Sequence, residues 1–312
     1  MDRAVTVLKP TSGEMVYPLS QHIGAPAKAI VKVGDEVLVG QKIAEAGGFI
    51  SAVVVSSVSG KVKKIEPRVT AGGAKSISIV IENDGQYTAI EGLGEDRDAT
   101  KLSKQEIRDI VREAGIVGLG GAGFPTNVKL TPKDEPKIDY IIVNGAECEP
   151  YLTCDYRMMI EEPERLIGGL KVMLQLFENA KAVIGVENNK PKAIEKLRAL
   201  VKDEPKISVE ALRTKYPQGG ERSLIYAVTG REINSSMLPA DAGCVVDNVN
   251  TVMAIYDAVC KRTPILERVI TITGDAIKEP QNFKVRTGMN YNDIIEAAGG
   301  FKADPKKILS GG

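Results

Sequence analysis

At 312 residues the chain is long enough for two or three domains. Its 41 basic and 41 acidic residues cancel, so charge gives no reason to expect a nucleic-acid partner. Hydrophobic residues at 43% suffice for buried cores, while 4% aromatics and no Trp argue against a base-stacking surface.

No apolar run approaches the roughly 18–20 residues of a membrane span. The opening MDRAVTVLKP has no signal-peptide pattern. Direct membrane insertion is therefore not expected, and any membrane association is expected through a partner. The four cysteines, Cys148, Cys154, Cys244 and Cys260, form no CxxC pair, and there is one histidine. That composition predicts reduced thiols and no metal site in this chain.

From Val5 to about Ile90 short β-like runs alternate with glycine turns, which reads as an all-β unit. The order VGDEVLVGQKIA followed by SSVSGKVKKI resembles the biotinyl/lipoyl-type barrel-sandwich hammerhead. Carriers of that type hold a modified Lys at a hairpin tip. The connecting segment 43–56 has no Lys, so no carrier role is expected. His22 reads as a loop hydrogen-bonder rather than a catalyst, because no nucleophile or acid motif accompanies it.

Residues 85–103 are polar and Gly-rich, as in a linker. Ser103 and Glu106 form a capping box that opens a helix ending at Ala114-Gly115. Then comes GIVGLGGAGFPTNVKL (115–130), with Lys129 its single charge. Such a run turns several backbone N–H groups toward one point, which suits phosphate. A dinucleotide fingerprint must follow a strand and open a helix. This run follows a helix and fails that test.

A strand is predicted over 138–144, ending in NGAECEP. Carboxyl ends of such strands are where open α/β sheets place ligands. Glu147 and Glu149 are two apart, so an extended backbone aims both to one side. Either they face a ligand or the segment is a solvated acidic turn. One helix is predicted from about 162 to 180, then a strand at 182–188, a helix at 191–201 and a strand at 207–214. The glycine turn 216–221 opens another helix. Residues 244–260 give a strand, an Asp247-Asn248 cap and a helix. The alternation predicts βαβ units and a mostly parallel sheet. Four ligand-competent turns emerge: 118–129, 144–149, 216–221 and 247–251.

GLGGAGFPTNVKL, NGAECEPYLTCDYR and KYPQGGERSLIYAVTGRE together resemble the RnfC family, the C-type component of the Rnf electron-transport complex, an ion-translocating ferredoxin:NAD oxidoreductase. A more distant resemblance is to the flavin-binding 51-kDa subunit of respiratory complex I. The resemblance implies an α/β multidomain protein. Its parts are an N-terminal β barrel-sandwich hybrid (1–95), a central Rossmann-like α/β FMN-binding domain (96–264) and a C-terminal β-grasp SLBB domain (265–312). It implies FMN as cofactor and NAD(H) as substrate, with hydride passing between cofactors and no catalytic side chain.

By the same resemblance, Gly118, Gly120 and Gly121 line the flavin and Lys129 donates to it. Asn144 and Glu147 contact the ring or ribityl chain, and Tyr216, Gly219 and Gly220 form a second wall. Asp247, Asn248 and Thr251 take the phosphate end. Phe124 and Glu149 flank NADH. Against the complex I pattern, Asp247 stands for Asn, Leu119 for Arg, Ala146 for Asp, Gly220 for Glu and Leu130 for Trp. These departures weaken the NADH half more than the flavin half. An aspartate also suits phosphate poorly unless it turns away to cap the helix.

The family continues into a domain with two [4Fe–4S] clusters. The chain is expected to be cut short before it, with clusters only in the full-length subunit. Implied partners are ferredoxin and the membrane and iron–sulfur subunits of the complex, at the cytoplasmic face of the cell membrane as a peripheral protein. Two other readings fit related families: a flavin-free scaffold like that of sodium-pumping NADH:quinone reductase, and a flavin-dependent cobalamin reductase.

Overall fold

The structure, a computed structural model, describes residues 3–311. After β1 (Thr6–Leu8), the N-terminal part holds β2 (Glu14–Pro18), β3 (Lys28–Ala29), β4 (Glu36–Val37), β5 (Lys42–Glu45), β6 (Val54–Val55), β7 (Gly60–Val69) and β8 (Lys75–Asn83). Two antiparallel sheets, ordered β2-β8-β7-β4 and β3-β5-β6, face each other. Met15 and Tyr17 alternate inward from β2 and pack with Ile43, Val62, Ile79 and Ile81. This is the all-β unit that the glycine-punctuated strands predict, in the two-sheet arrangement that the resemblance to barrel-sandwich domains implies.

The central part opens with α1 (Lys104–Glu113), whose capping box is present: Glu106 N–H donates to Ser103 Oγ (3.3 Å), and Ser103 N–H to Glu106 Oε2 (2.8 Å). Then follow α2 (Thr126–Lys129), β9 (Tyr140–Gly145), α3 (Cys154–Glu161), α4 (Pro163–Leu176), β10 (Lys181–Glu187), α5 (Pro191–Val201), β11 (Ile207–Leu212), α6 (Glu221–Thr229), β12 (Cys244–Asn248) and α7 (Val249–Cys260). The sheet β11-β10-β9-β12 is wholly parallel. Ile141, Val143, Ile184 and Val245 face α4 and α7 in the large core. Ile142, Cys244 and Val246 face α6. Burial on both faces explains why these strands read as continuous apolar runs.

The helix expected from about 162 to 180 is α4, which ends at Leu176, and α3 before it is an additional helix that no sequence signal marked. Pro163 disfavours helical backbone at the residue before it, and Glu162 sits at φ −133. The apolar periodicity of α4 is legible in the sequence, whereas α3 carries only a weak stripe.

β13 (Glu267–Ile272), β14 (Gln281–Arg286) and α8 (Tyr291–Ala297) make the C-terminal β-grasp unit. β13 pairs antiparallel with β14, and β1 joins β14 in parallel, with Thr6 opposite Phe283. The first strand of the chain thus completes its last sheet. No helix among the described residues is long and apolar enough to cross a membrane.

Candidate functional site

β9 lies between β10 and β12, so the chain runs out from it in both directions. That is the switch point where open α/β sheets bind ligands. In register, Asn144 and Asn248 sit side by side at the carboxyl ends of β9 and β12.

The glycine run lies over this edge as an ordered loop. Gly118 N–H donates to Phe124 O (2.8 Å), and Leu119 N–H to Thr251 Oγ1 (2.9 Å). Arg268, from β13, donates to Leu119 O. A Cβ at Gly120 would come within 2.9 Å of the Asn248 side chain, so this close approach requires glycine. Gly123 takes φ +66, and a Cβ there would come within 3.2 Å of His22 Cα. Gly121 faces open space, and Phe124 is half-buried. His22 is a hydrogen-bonder: its Nε2 accepts from Ala52 N–H at 3.0 Å.

Asn144 Nδ2 donates to Gly219 O (2.8 Å), and Gly219 N–H to Cys148 Sγ (3.2 Å). The 216–221 turn is thereby fastened to the end of β9. Gly220 precedes α6 as its cap residue. Tyr216 is exposed, and its hydroxyl donates to Glu149 Oε1 (3.1 Å).

The segment holding Glu147 and Glu149 is not extended, although both residues line one cleft. Glu147 takes φ +48, which breaks the extended pattern. Its carboxylate accepts from Asp155 N–H (2.7 Å) and Tyr156 N–H (3.1 Å), at the start of α3. Asp155 in turn accepts from the side-chain amides of Asn248 and Asn250, each at 2.6 Å. Burial, then the neighbouring Asp155, push Glu147 up to about 8. Burial raises Asp155 as well. Cys154 Sγ lies within 4.8 Å of both carboxylates, and burial followed by their charges raises the thiol.

Lys129, at the end of α2, reaches the free edge of β12. Its ammonium donates to Val246 O (2.7 Å) and pairs with Asp247 Oδ1 (3.4 Å) and Glu221 Oε1 (3.8 Å). Asp247 is 2% exposed, and its Oδ2 has no hydrogen-bond partner. It does not cap α7: Asn248 does, accepting from Asn250 N–H at 2.9 Å. The aspartate points to the lysine instead.

The four turns predicted to be ligand-competent therefore converge on one edge. Beside them, a cleft of about 430 Å³ is lined by Glu147, Cys148, Glu149, Tyr151, Glu187, Lys190 and Tyr216. Asp155, Asn250 and Arg268 join the site without a sequence signal that picks them out. Asp155 lies inside the NGAECEPYLTCDYR motif but acts through α3, whose stripe is weak. Arg268 reaches the site from a distant sheet, with no local signal.

Comparisons with known proteins bear on this geometry. Residues 111–257 match the family described as the Nuo51 FMN-binding domain, 2–86 the RnfC barrel sandwich hybrid domain, and 269–312 the SLBB domain. Over 305 residues the chain is 48% identical to the C component of the proton-translocating ferredoxin:NAD(+) oxidoreductase complex of Clostridium ljungdahlii, covering 98% of this chain and 66% of that protein. It is 46% identical over 303 residues to the Na(+)-translocating counterpart of Acetobacterium woodii, covering 96% and 67%. The chain belongs to the RnfC family. It spans about two thirds of the length of these relatives. An NAD+-reducing [NiFe]-hydrogenase structure shares the fold, with TM-score 0.55 and 22% identity over 65% of this chain and 40% of that one.

Membership of this family raises FMN as the group to fit against the site. Gly120 and Gly121 leave a backbone floor without side chains. Lys129 supplies a cation, and the orphaned Asp247 Oδ2 lacks only a donor of the kind a flavin ring N–H or ribityl hydroxyl offers. The residues fit a flavin. At the start of α7 the side chains of Asn248 and Thr251 are already engaged, with Asp155 and Leu119 respectively.

Proposed function

We propose that this chain binds FMN on the shared edge of β9 and β12 and acts as an electron-transfer subunit between NAD(H) and ferredoxin. The observation that carries this is the convergence of the glycine loop, Lys129, Asn144 and the 216–221 turn on the switch point of a parallel sheet. Bound FMN supplies hydride acceptance from NADH and onward transfer of single electrons. The chain's own residues bind, orient and shield it. Gly118, Gly120 and Gly121 line its face, and Lys129 stabilises negative charge. Asn144 and Glu147 hold the near wall, while Tyr216, Gly219 and Gly220 close the far one. Asp247, Asn248 and Thr251 hold the polar end, with Asp247 serving as acceptor rather than as phosphate ligand.

NAD(H) enters from the side of Phe124 and Glu149, where Tyr216 fixes the Glu149 carboxylate. Bringing the nicotinamide and the flavin into reacting contact would be the protein's main contribution to rate. The implied partners are ferredoxin and the membrane and iron–sulfur subunits of an ion-translocating complex, with this chain peripheral at the cytoplasmic face. The [4Fe–4S] clusters belong to the longer subunit.

Titration of FMN with the purified chain tests the reading. Quenching of flavin fluorescence with a micromolar Kd is expected. Lys129→Ala is expected to weaken it at least tenfold, about 1.4 kcal/mol. Failure of the unmodified chain to quench FMN would favour the flavin-free scaffold. Bleaching of the bound flavin by NADH checks the hydride step separately.

A further inference from the structure

The Lys129–Asp247 pair has a geometry that chain stability does not explain. Lys129 is anchored by the outward carbonyl of Val246, on the free edge of β12, at 2.7 Å. Asp247 adds one long ion-pair contact, at 3.4 Å, from a side chain only 1% exposed. Its other oxygen is buried with no donor. A buried carboxylate so poorly paired is destabilising, since its desolvation is not offset. Among the described residues the other acid beside Lys129 is Glu221, 45% exposed and 3.8 Å away, where solvent screens it.

Resting on the flavin reading above, we propose that Asp247, beyond serving as an acceptor, cancels the charge of Lys129 and so lowers the reduction potential of the flavin held beside it. Lys129 alone favours the reduced ring, which carries the added negative charge. Burial raises the Asp247 carboxyl and the adjacent Lys129 ammonium opposes that shift; as the anion paired with Lys129 at 3.4 Å, the carboxylate opposes the effect of Lys129 on the ring. Asparagine keeps the shape and the contact to Lys129 but removes the charge. A subunit that exchanges electrons with low-potential carriers is thereby kept from trapping them as reduced flavin.

The test is the midpoint potential of FMN bound at saturating concentration to the wild type and to Asp247→Asn, Asp247→Ala, Lys129→Met and the Asp247→Asn/Lys129→Met double variant. Both Asp247 variants are expected to shift the oxidised–reduced equilibrium at least tenfold toward reduced flavin, about 30 mV upward for a two-electron couple. Lys129→Met is expected to shift it downward, and the double variant to return close to the wild type. A merely structural aspartate would not produce shifts of opposite sign that cancel. FMN bound normally, with its potential unchanged or lowered in both Asp247 variants, overturns the proposal. Absence of FMN binding by the wild type overturns the flavin reading itself, and is seen before any variant is compared.

Discussion

Single residues decide the electrostatics of the site. Glu147 is hydrogen-bonded by the first turn of α3, which favours its anion, yet burial beside Asp155 outweighs those bonds and pushes it up to about 8. A carboxyl whose pKa is raised on folding binds its proton more tightly in the native state. Its stabilising contribution is full below the unfolded value near 4.3 and is lost as pH rises through about 8. Stability of the wild type is therefore expected to fall between about pH 5 and 8. Glu147→Gln, which cannot ionise, is expected to flatten that fall, although it loses an acceptor for one backbone N–H and about 1 kcal/mol with it. Thermal unfolding across this range checks it, and equal slopes for the two proteins refute the assignment. Lys129 is legible in the sequence as a lone charge in a glycine run. Its partner is not, because Asp247 lies on another element and its pairing is set by the edge of a sheet.

Elements are legible where their signals are local. The capping box of α1 lies where Ser103 and Glu106 predict it, and β10, α5 and β11 follow from apolar runs punctuated by Pro191 and polar turns. Ser103→Ala is expected to lower stability by about 1 kcal/mol through the lost cap, measured by chemical unfolding. The glycine loop is legible as a binding element but not in its packing. Its close approach of Gly120 to Asn248 joins two turns far apart in sequence. Gly120→Val is expected to displace the loop from the β12 end and abolish FMN quenching while leaving far-UV circular dichroism unchanged. Retained quenching would mean that the loop adapts and that the close approach has no role. α3 shows the opposite limit: apolar spacing and Pro163 locate the start of α4, whereas the eight residues of α3 before it carry no signal that separates them from a loop.

On the scale of the whole molecule, the β-grasp sheet is the tie between the parts. β1 is drawn from the start of the chain into its last sheet. Ser57 Oγ, in the barrel-sandwich, donates to Thr287 O (2.7 Å), and Thr153 N–H, just before α3, donates to Thr271 Oγ1 (3.1 Å). Arg268 reaches the glycine loop at Leu119 O. None of these ties follows from periodicity, because each is long-range and its partners carry no local signal. They make a specific expectation for Arg268. Its side chain is exposed, so Arg268→Ala should change global stability by no more than about 0.5 kcal/mol. The same change frees the Leu119 carbonyl, leaving the loop held there by Thr251 alone. Amide exchange at Gly118 and Leu119 is therefore expected to quicken about tenfold in Arg268→Ala, with exchange in β9 and β10 unaffected. Uniformly faster exchange would show a global loss of stability instead. Unchanged exchange in the loop would show that the β-grasp sheet does not hold it.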